Sequence, residues 1–294
     1  MSMRSEYEEY KARQAKLQEN PMSRFWINQE SRYVKPFRMY GNLWYVGDSW
    51  VCAHIVDTGN GLLLFDAGNC GGGATAMLVN AIWEAGFHPA DVKWLVLSHG
   101  HVDHIGAVNF FRRMFGTKIY LGEPDARMYR EHPELALVHE STDYMDELFT
   151  PDVEIHEGDV INFGGTDVTF HLAPGHTDGV ISCFFDVTDG KETKRVGYYG
   201  GFGFNTLQKS YLLEIGDTAF SRRRIYLESI RKVINEKVDI FMPNHTNNVD
   251  LLNKRQYMME HPGENPFVNE SAWKEYLQMK YDDLLKLMAD PAQN

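Results

Sequence analysis

The sequence predicts an α/β domain in which two sheets pack face to face and helices cover the outside. Three observations predict it. Strand-like apolar runs and helical patterns follow the order β-meander, α, β, α, and that order recurs in the second half of the chain. No linker-like stretch separates the two halves. A cluster of histidines also follows directly on a run that reads as a buried strand, as expected where a sheet carries a site at its strand ends. With 294 residues, of which 43% are hydrophobic and 13% aromatic, the chain has ample material for such a core.

Residues 5–19 are charged and helix-prone, and residues 20–37 read as an irregular crossing segment that includes Phe25 and Trp26. Residues 1–36 are therefore expected to form a helix and arm packed on a domain spanning 37–294. The helix is expected to dock on that domain or on a partner subunit, which leaves a homo-oligomer open. Strands are expected over 37–46, 51–57 and 61–65, with Asn60-Gly61 as a hairpin turn. A helix at 75–86, a strand at 92–97 and a helix at 106–115 follow. A short strand at 118–121 leads into an acidic helical stretch to about 149. The second half offers strands at 153–156, 159–162, 167–172, 180–186 and 196–199. A helix with a basic outer face is expected at 221–237, a buried strand at 238–242 and an amphipathic helix at 269–289.

The charge balance narrows the function. A net charge of −12 argues against nucleic-acid binding, which needs a basic face. No run approaches the ~20 apolar residues that span a membrane. The first residues carry no apolar signal-peptide core, so a cytoplasmic location is expected. Three cysteines, Cys52, Cys70 and Cys183, are too few and too scattered for a disulfide framework.

Ser98-His-Gly-His-Val-Asp-His104 points to a metal. In extended or loop geometry, residues i and i+2 point the same way. His99 and His101 can then grip one ion together, while Asp103 and His104 face a neighbouring one. Imidazoles suit zinc, and a mixed imidazole and carboxylate set leaves room for water. His176, between glycines after the 168–172 strand, and His245, after the 238–242 strand, sit where further ligands would be sought.

These motifs resemble the metallo-β-lactamase-fold superfamily, an αββα sandwich, from about residue 37 onward. The resemblance rests on Leu64-Phe-Asp-Ala-Gly68, the His-x-His-x-Asp-His core, Pro174-Gly-His-Thr177 and His245. It implies two zinc ions per chain, the first held by His99, His101 and His176 and the second by Asp103, His104 and His245. Asp66 is implied as the carboxylate that orients a ligand. Several members of the superfamily have an Asp bridging the metals where this chain has Gly201. That departure makes the chain most similar to the third (B-three) subclass of metallo-β-lactamases and its relatives. An Asp introduced at 201 is expected to tighten the second metal, provided the glycine is not held at φ > 0.

The implied function is zinc-dependent hydrolysis of a small amide or lactam, by a metal-bridging hydroxide that attacks the carbonyl, with Asp103 as the catalytic carboxylate. Phe202, Phe204, Asn205 and Tyr211 are expected to line the substrate site. A lactone or thioester hydrolase on the same metals is a second reading, and a mononuclear iron redox enzyme a third.

Overall fold

The computed structural model describes residues 29–71, 73–137 and 148–294, and before them residues 4, 5, 8, 9, 11, 12, 15 and 19. Those eight early positions are helical. Phe25 and Trp26 lie outside the described residues, as does the part of the acidic stretch from 138 to 147. After a short helix α1 (Gln29–Arg32), seven strands build the first sheet: β1 (Phe37–Tyr40), β2 (Leu43–Tyr45), β3 (His54–Asp57), β4 (Leu62–Phe65), β5 (Val92–Val96), β6 (Lys118–Gly122) and β7 (Val153–Ile155). The first four pair antiparallel and the rest run parallel. Helices α2 (Ala74–Glu84), α3 (Val108–Phe115) and α4 (Glu123–Glu131) lie between the parallel strands in sequence.

The second sheet contains β8 (Val160–Phe163), β9 (Thr166–Leu172), β10 (Ile181–Thr188) and β11 (Thr193–Tyr199), all antiparallel, with β12 (Ile240–Met242) parallel to β11. Helices α5 (Lys209–Glu214) and α6 (Ser221–Val233) precede β12, and α7 (Leu251–Glu260) and α8 (Ala272–Ala289) follow it. The architecture is the expected pair of mixed sheets with external helices.

Period-two alternation explains how β4 serves two cores at once. Leu63 and Phe65 join the cluster between the sheets, while Leu62 and Leu64 join the cluster beneath α2 and α3. Phe65 stacks on Phe185 of β10 at 5.3 Å, and Phe184, on the other face, meets Trp273 of α8 at 5.4 Å. Each large side chain so buried contributes ~1.5–3 kcal/mol. Packing on both faces therefore holds the strand ends, from which the site projects.

Three departures from the sequence expectations trace to specific contacts. The 37–46 run is a hairpin, because Gly41 turns the chain at φ 51° and Asn42 bonds to Asp57 and Thr188 instead of continuing a strand. Residues 51–53 leave the β3 ladder: Val51 bridges to His245 and the Cys52 amide donates to the Asn244 carbonyl. The basic face of α6 is not wholly outward. Arg223 is buried, donating to the carbonyls of Leu207 and Gln293. Helices α5 and α7 form where no element is expected. Among the described residues no helix is long and apolar enough to cross a membrane.

Candidate metal centre

The six expected ligands come from the ends of β5, β9 and β12, at one rim shared by both sheets. A hydrogen bond between the layers closes the rim: the Ile181 amide donates to the Ser98 carbonyl at 3.0 Å, while within the second sheet the Gly200 amide donates to the Ile181 carbonyl at 2.8 Å.

Nε2 of His99 lies 3.1 Å from Nδ1 of His101, which lies 3.0 Å from Nε2 of His176. Beside this trio, Nε2 of His104 is 3.2 Å from Nε2 of His245 and 3.3 Å from Oδ2 of Asp103. That oxygen is 3.4 Å from Nε2 of His245. A tetrahedral shell with bonds of ~2.0–2.1 Å has ligand–ligand edges of ~3.3 Å, so both sets have the size of a zinc site. The two sets adjoin, since His99, Asp103 and His104 also offer ligand atoms within 4.8 Å of one another.

The outer ring nitrogens settle which lone pairs face inward. His99 Nδ1 is 2.7 Å from the Gly200 carbonyl, His176 Nδ1 is 3.0 Å from that of Gly203, and His245 Nδ1 is 3.1 Å from that of Trp50. His104 Nδ1 is 2.9 Å from Asp66 Oδ2. Carbonyls and carboxylates only accept, so each outer nitrogen carries a proton; His99 and His176 thereby turn the lone pair of Nε2 to the centre, and His104 does so once its second proton is lost. His101 points its Nδ1 inward and leaves a buried Nε2 without a partner. Nothing in the protein alone rewards that arrangement, whereas a metal on Nδ1 would.

Charge divides the centre. Burial, reinforced by the neighbouring imidazoles, holds His99 and His101 well below the usual histidine range and His176 near 4. The trio is thus neutral and ready to ligate. Burial also opposes charge on His104, but Asp103 and Asp66 outweigh it and push the imidazole up to about 10. Burial would raise the Asp103 carboxyl, yet His104 and His245 keep it well below the carboxylate range. Asp103 and His104 form an ion pair, and any cation taking His104 Nε2 would have to displace its proton.

Asp66 stands behind this pair. It is fully buried at φ 60°, and its Oδ1 accepts the Ser98 amide at 2.7 Å. Its Oδ2 accepts His104 and, at 2.6 Å, the Tyr198 hydroxyl. Two further supports escape a reading of the sequence. Asp125 of α4 accepts the Gly100 amide, the Thr177 hydroxyl and the Gly179 amide at 2.7–2.8 Å, tying the His99–His101 loop to the His176 loop. Burial raises its carboxyl to about 6. On the opposite side, buried Arg32 pairs with Asp48 at 2.7 Å, and Asp48 accepts the Trp50 and Val51 amides. The Trp50 carbonyl so placed holds His245. Arg32 and Asp48 lie far from His245 in sequence, and no local pattern links them.

The cavity in front of the donors holds about 450 Å³. Of the four residues expected to meet substrate, Phe202 and Asn205 border this cavity; Phe204 and Tyr211 do not. Phe204 turns away to meet Tyr226 at 5.7 Å. Tyr211 borders a neighbouring cleft that shares His101 and includes Arg222. Cys70 is absent from the lining and packs on the helical side of the first sheet.

The structure also corrects the expectation for position 201. Gly201 is not at positive φ. A Cβ there would lie 2.8 Å from Val180 Cγ2 and 3.0 Å from His176 Cδ2. Gly203 is equally tight, with His176 Cε1 at 2.7 Å from its added Cβ. The glycines make room for the His176 ring. Gly201→Asp is therefore expected to displace His176 and weaken the first metal, instead of tightening the second. Zinc titration of the variant checks this: an unchanged first affinity with a stronger second one would refute it.

Comparison with known proteins agrees with this geometry. Residues 51–189 match the metallo-beta-lactamase superfamily. An uncharacterised Aquifex aeolicus protein is 33% identical over 95 residues, a stretch covering 32% of this chain and 44% of that protein. The hydroxyacylglutathione hydrolase GloC of Haemophilus influenzae is 29% identical over 154 residues, covering 52% of this chain and 68% of GloC. Among solved structures, BJP-1, a subclass B3 metallo-beta-lactamase of Bradyrhizobium japonicum, superposes with a TM-score of 0.77. It is 25% identical, and the match covers 89% of this chain and 96% of BJP-1.

Proposed function

Because the chain carries a metallo-beta-lactamase superfamily domain and the fold of a subclass B3 enzyme, we propose that it is a dizinc hydrolase of a small amide- or lactam-like substrate. One observation carries the reading: six donor atoms in two adjoining trios, 3.0–3.4 Å apart, with the outer nitrogens of four histidines already bonded. His99, His101 and His176 would hold the first ion, and Asp103, His104 and His245 the second.

Zinc bound there would supply a Lewis acid for the scissile carbonyl and would acidify water near neutral pH. The protein's own groups do the rest. Asp103, partly open to the cavity, accepts a hydrogen bond from the attacking water and takes its proton. Asp66 and the Gly200, Gly203 and Trp50 carbonyls keep the imidazoles in one orientation. Phe202 closes one wall against solvent, and Asn205 offers an amide to the substrate.

With Gly201 in place of a bridging carboxylate, the second ion has only three protein ligands and competes with the His104 proton. Titrating a chelator against the zinc-loaded protein is therefore expected to release one ion before the other, with hydrolysis of an amide and lactam panel falling in step. Simultaneous loss of both ions, or a zinc-loaded protein inert to the whole panel, would overturn the reading. The likeness to a hydroxyacylglutathione hydrolase favours a lactone or thioester as the second substrate class on the same donors. The same panel, extended to those esters, separates the two.

A further inference from the structure

Two asparagines in the wall of the metal cavity, Asn244 and Asn248, are buried, and neither is a ligand or takes part in the mechanism above. Their side chains form a line of hydrogen bonds that ends on the first trio. Nδ2 of Asn244 donates to the Gly200 carbonyl at 2.8 Å, and the same oxygen lies 2.7 Å from His99 Nδ1. Nδ2 of Asn248 donates to Oδ1 of Asn244 at 2.6 Å. The Tyr276 hydroxyl of α8 donates to Oδ1 of Asn248 at 2.9 Å. The Tyr276 ring is fixed in turn, against Phe202 at 4.8 Å and Phe241 of β12 at 5.3 Å. Helix α8 borders the cavity here, with Lys280 in its wall one turn further on.

The acceptor at the end of the line decides its direction. A carbonyl only accepts, so Asn244 must turn its amide nitrogen to Gly200. Its oxygen then faces Asn248, which answers with its own nitrogen, and the oxygen left on Asn248 takes the Tyr276 proton. Between them, His99 and Asn244 occupy both lone pairs of the Gly200 carbonyl, so this peptide cannot tilt without losing a bond. The chain is also close-packed there: a Cβ at Gly200 would lie 2.5 Å from the Ser98 carbonyl oxygen. The other side of the loop has a separate anchor. His245, the next residue, has its Nδ1 3.1 Å from the Trp50 carbonyl, and the Thr246 amide donates to the same oxygen at 3.1 Å.

We propose that Asn244 is a positioning residue of the first metal trio, holding the Gly200 carbonyl that orients His99, although its neighbour His245 belongs to the second trio. The inference rests on the dizinc hydrolase reading above and adds to it a residue that acts through another. Helix α8 takes part through Tyr276, which fixes the two amides. Because their oxygens are spent within the protein, the asparagines act on the metal and not on the substrate.

Zinc titrations of metal-free protein against a chromophoric chelator read the two affinities separately, the first ion's being the tighter. Asn244→Ala should weaken the first ion ~10-fold, the low end of the range for groups that orient a ligating imidazole. The second should change by less, since the Trp50 carbonyl holds His245 independently. Asn244→Asp, which keeps the shape but turns an oxygen to the Gly200 carbonyl, should lose at least as much. Tyr276→Phe keeps the ring packing and removes only the hydroxyl, so it should fold as the wild type does and show a smaller loss at the same ion. It should add nothing to the loss in Asn244→Ala, as expected of residues in one network. In turnover, Asn244→Ala should keep the wild-type KM, and excess zinc should restore its kcat. Unchanged first-ion affinity in Asn244→Ala and Tyr276→Phe would overturn the proposal. A raised KM with wild-type zinc affinity would also overturn it, by making Asn244 a substrate contact. Should Asn244→Ala not fold, Tyr276→Phe alone decides. If the first ion weakens as expected but no amide, lactam or ester is hydrolysed, the hydrolase reading fails and the positioning role stands. A wild type that takes up no zinc would overturn both.

Discussion

Replacing Asp103 by Ala is expected to lower kcat by ~10²–10⁴-fold, the range for loss of a positioned acid–base group, and to cost the protein the second of the two zinc ions proposed for it. Asp103 supplies the only carboxylate of the second trio, with its Oδ2 at 3.3 Å from His104 and 3.4 Å from His245. Its removal leaves two imidazoles, one of them freed from the partner that raised its pKa. The side chain opens into the cavity and belongs to neither apolar cluster. The fold should therefore survive, with a thermal midpoint near that of the wild type when both proteins are metal-free. Asp103→Asn separates charge from shape and should behave like the Ala variant in metal count. Metal content by mass spectrometry, alongside kcat, checks the claim; a variant with near wild-type kcat and two bound ions would remove Asp103 from the mechanism.

Asp66→Ala is expected to damage both stability and metal binding, which sets it apart from Asp103. Its two carboxylate oxygens serve three donors in a fully buried position: the Ser98 amide, the Tyr198 hydroxyl and His104 Nδ1. Each donor left without a partner there costs ~1–3 kcal/mol. Alanine would also have to adopt the left-handed conformation that Asp tolerates better. The metal-free variant should thus melt well below the wild type. Asp66→Asn keeps the shape but presents an amide where His104 needs an acceptor. It should fold, and bind the second zinc ~10–100-fold more weakly, as is usual when the partner of a ligating histidine is altered. Unfolding curves in chelator and zinc titrations of both variants read the two effects separately. An Asp66→Asn protein with wild-type affinity for both ions would show that Asp66 does not orient His104.

Much of the fold was legible because its signals are local. The run at 62–65 is continuously apolar and those at 92–96 and 118–122 are mostly so, interrupted by exposed Lys93 and Lys118, as expected of parallel strands covered on both faces, and the helices between them follow. The ligand loop was legible for the same reason: its four candidate ligands lie within six residues. The errors lie where direction depends on distant neighbours. Phe204 reads as a lining residue next to Gly203, yet its ring turns toward Tyr226 of α6. Val51–Ala53 reads as the start of a strand, yet it pairs with the His245 loop nearly 200 residues away.

By itself, the sequence determined the composition of the centre: imidazoles and one carboxylate at strand ends, a glycine where a bridging ligand would stand, and two sheets to present them. The tertiary structure decided how those groups are held and what they face. It set the Trp50, Gly200 and Gly203 carbonyls behind three histidines and Asp66 behind a fourth, and it assigned Gly201 to the His176 ring. It also brought Asp125 between two ligand loops, Arg32 beneath Asp48, and Lys280 into the cavity wall. The physical reason is that a ligand's identity is a property of one residue. Its orientation and the charge around it come from hydrogen bonds and packing between segments that meet only when the two sheets close on each other.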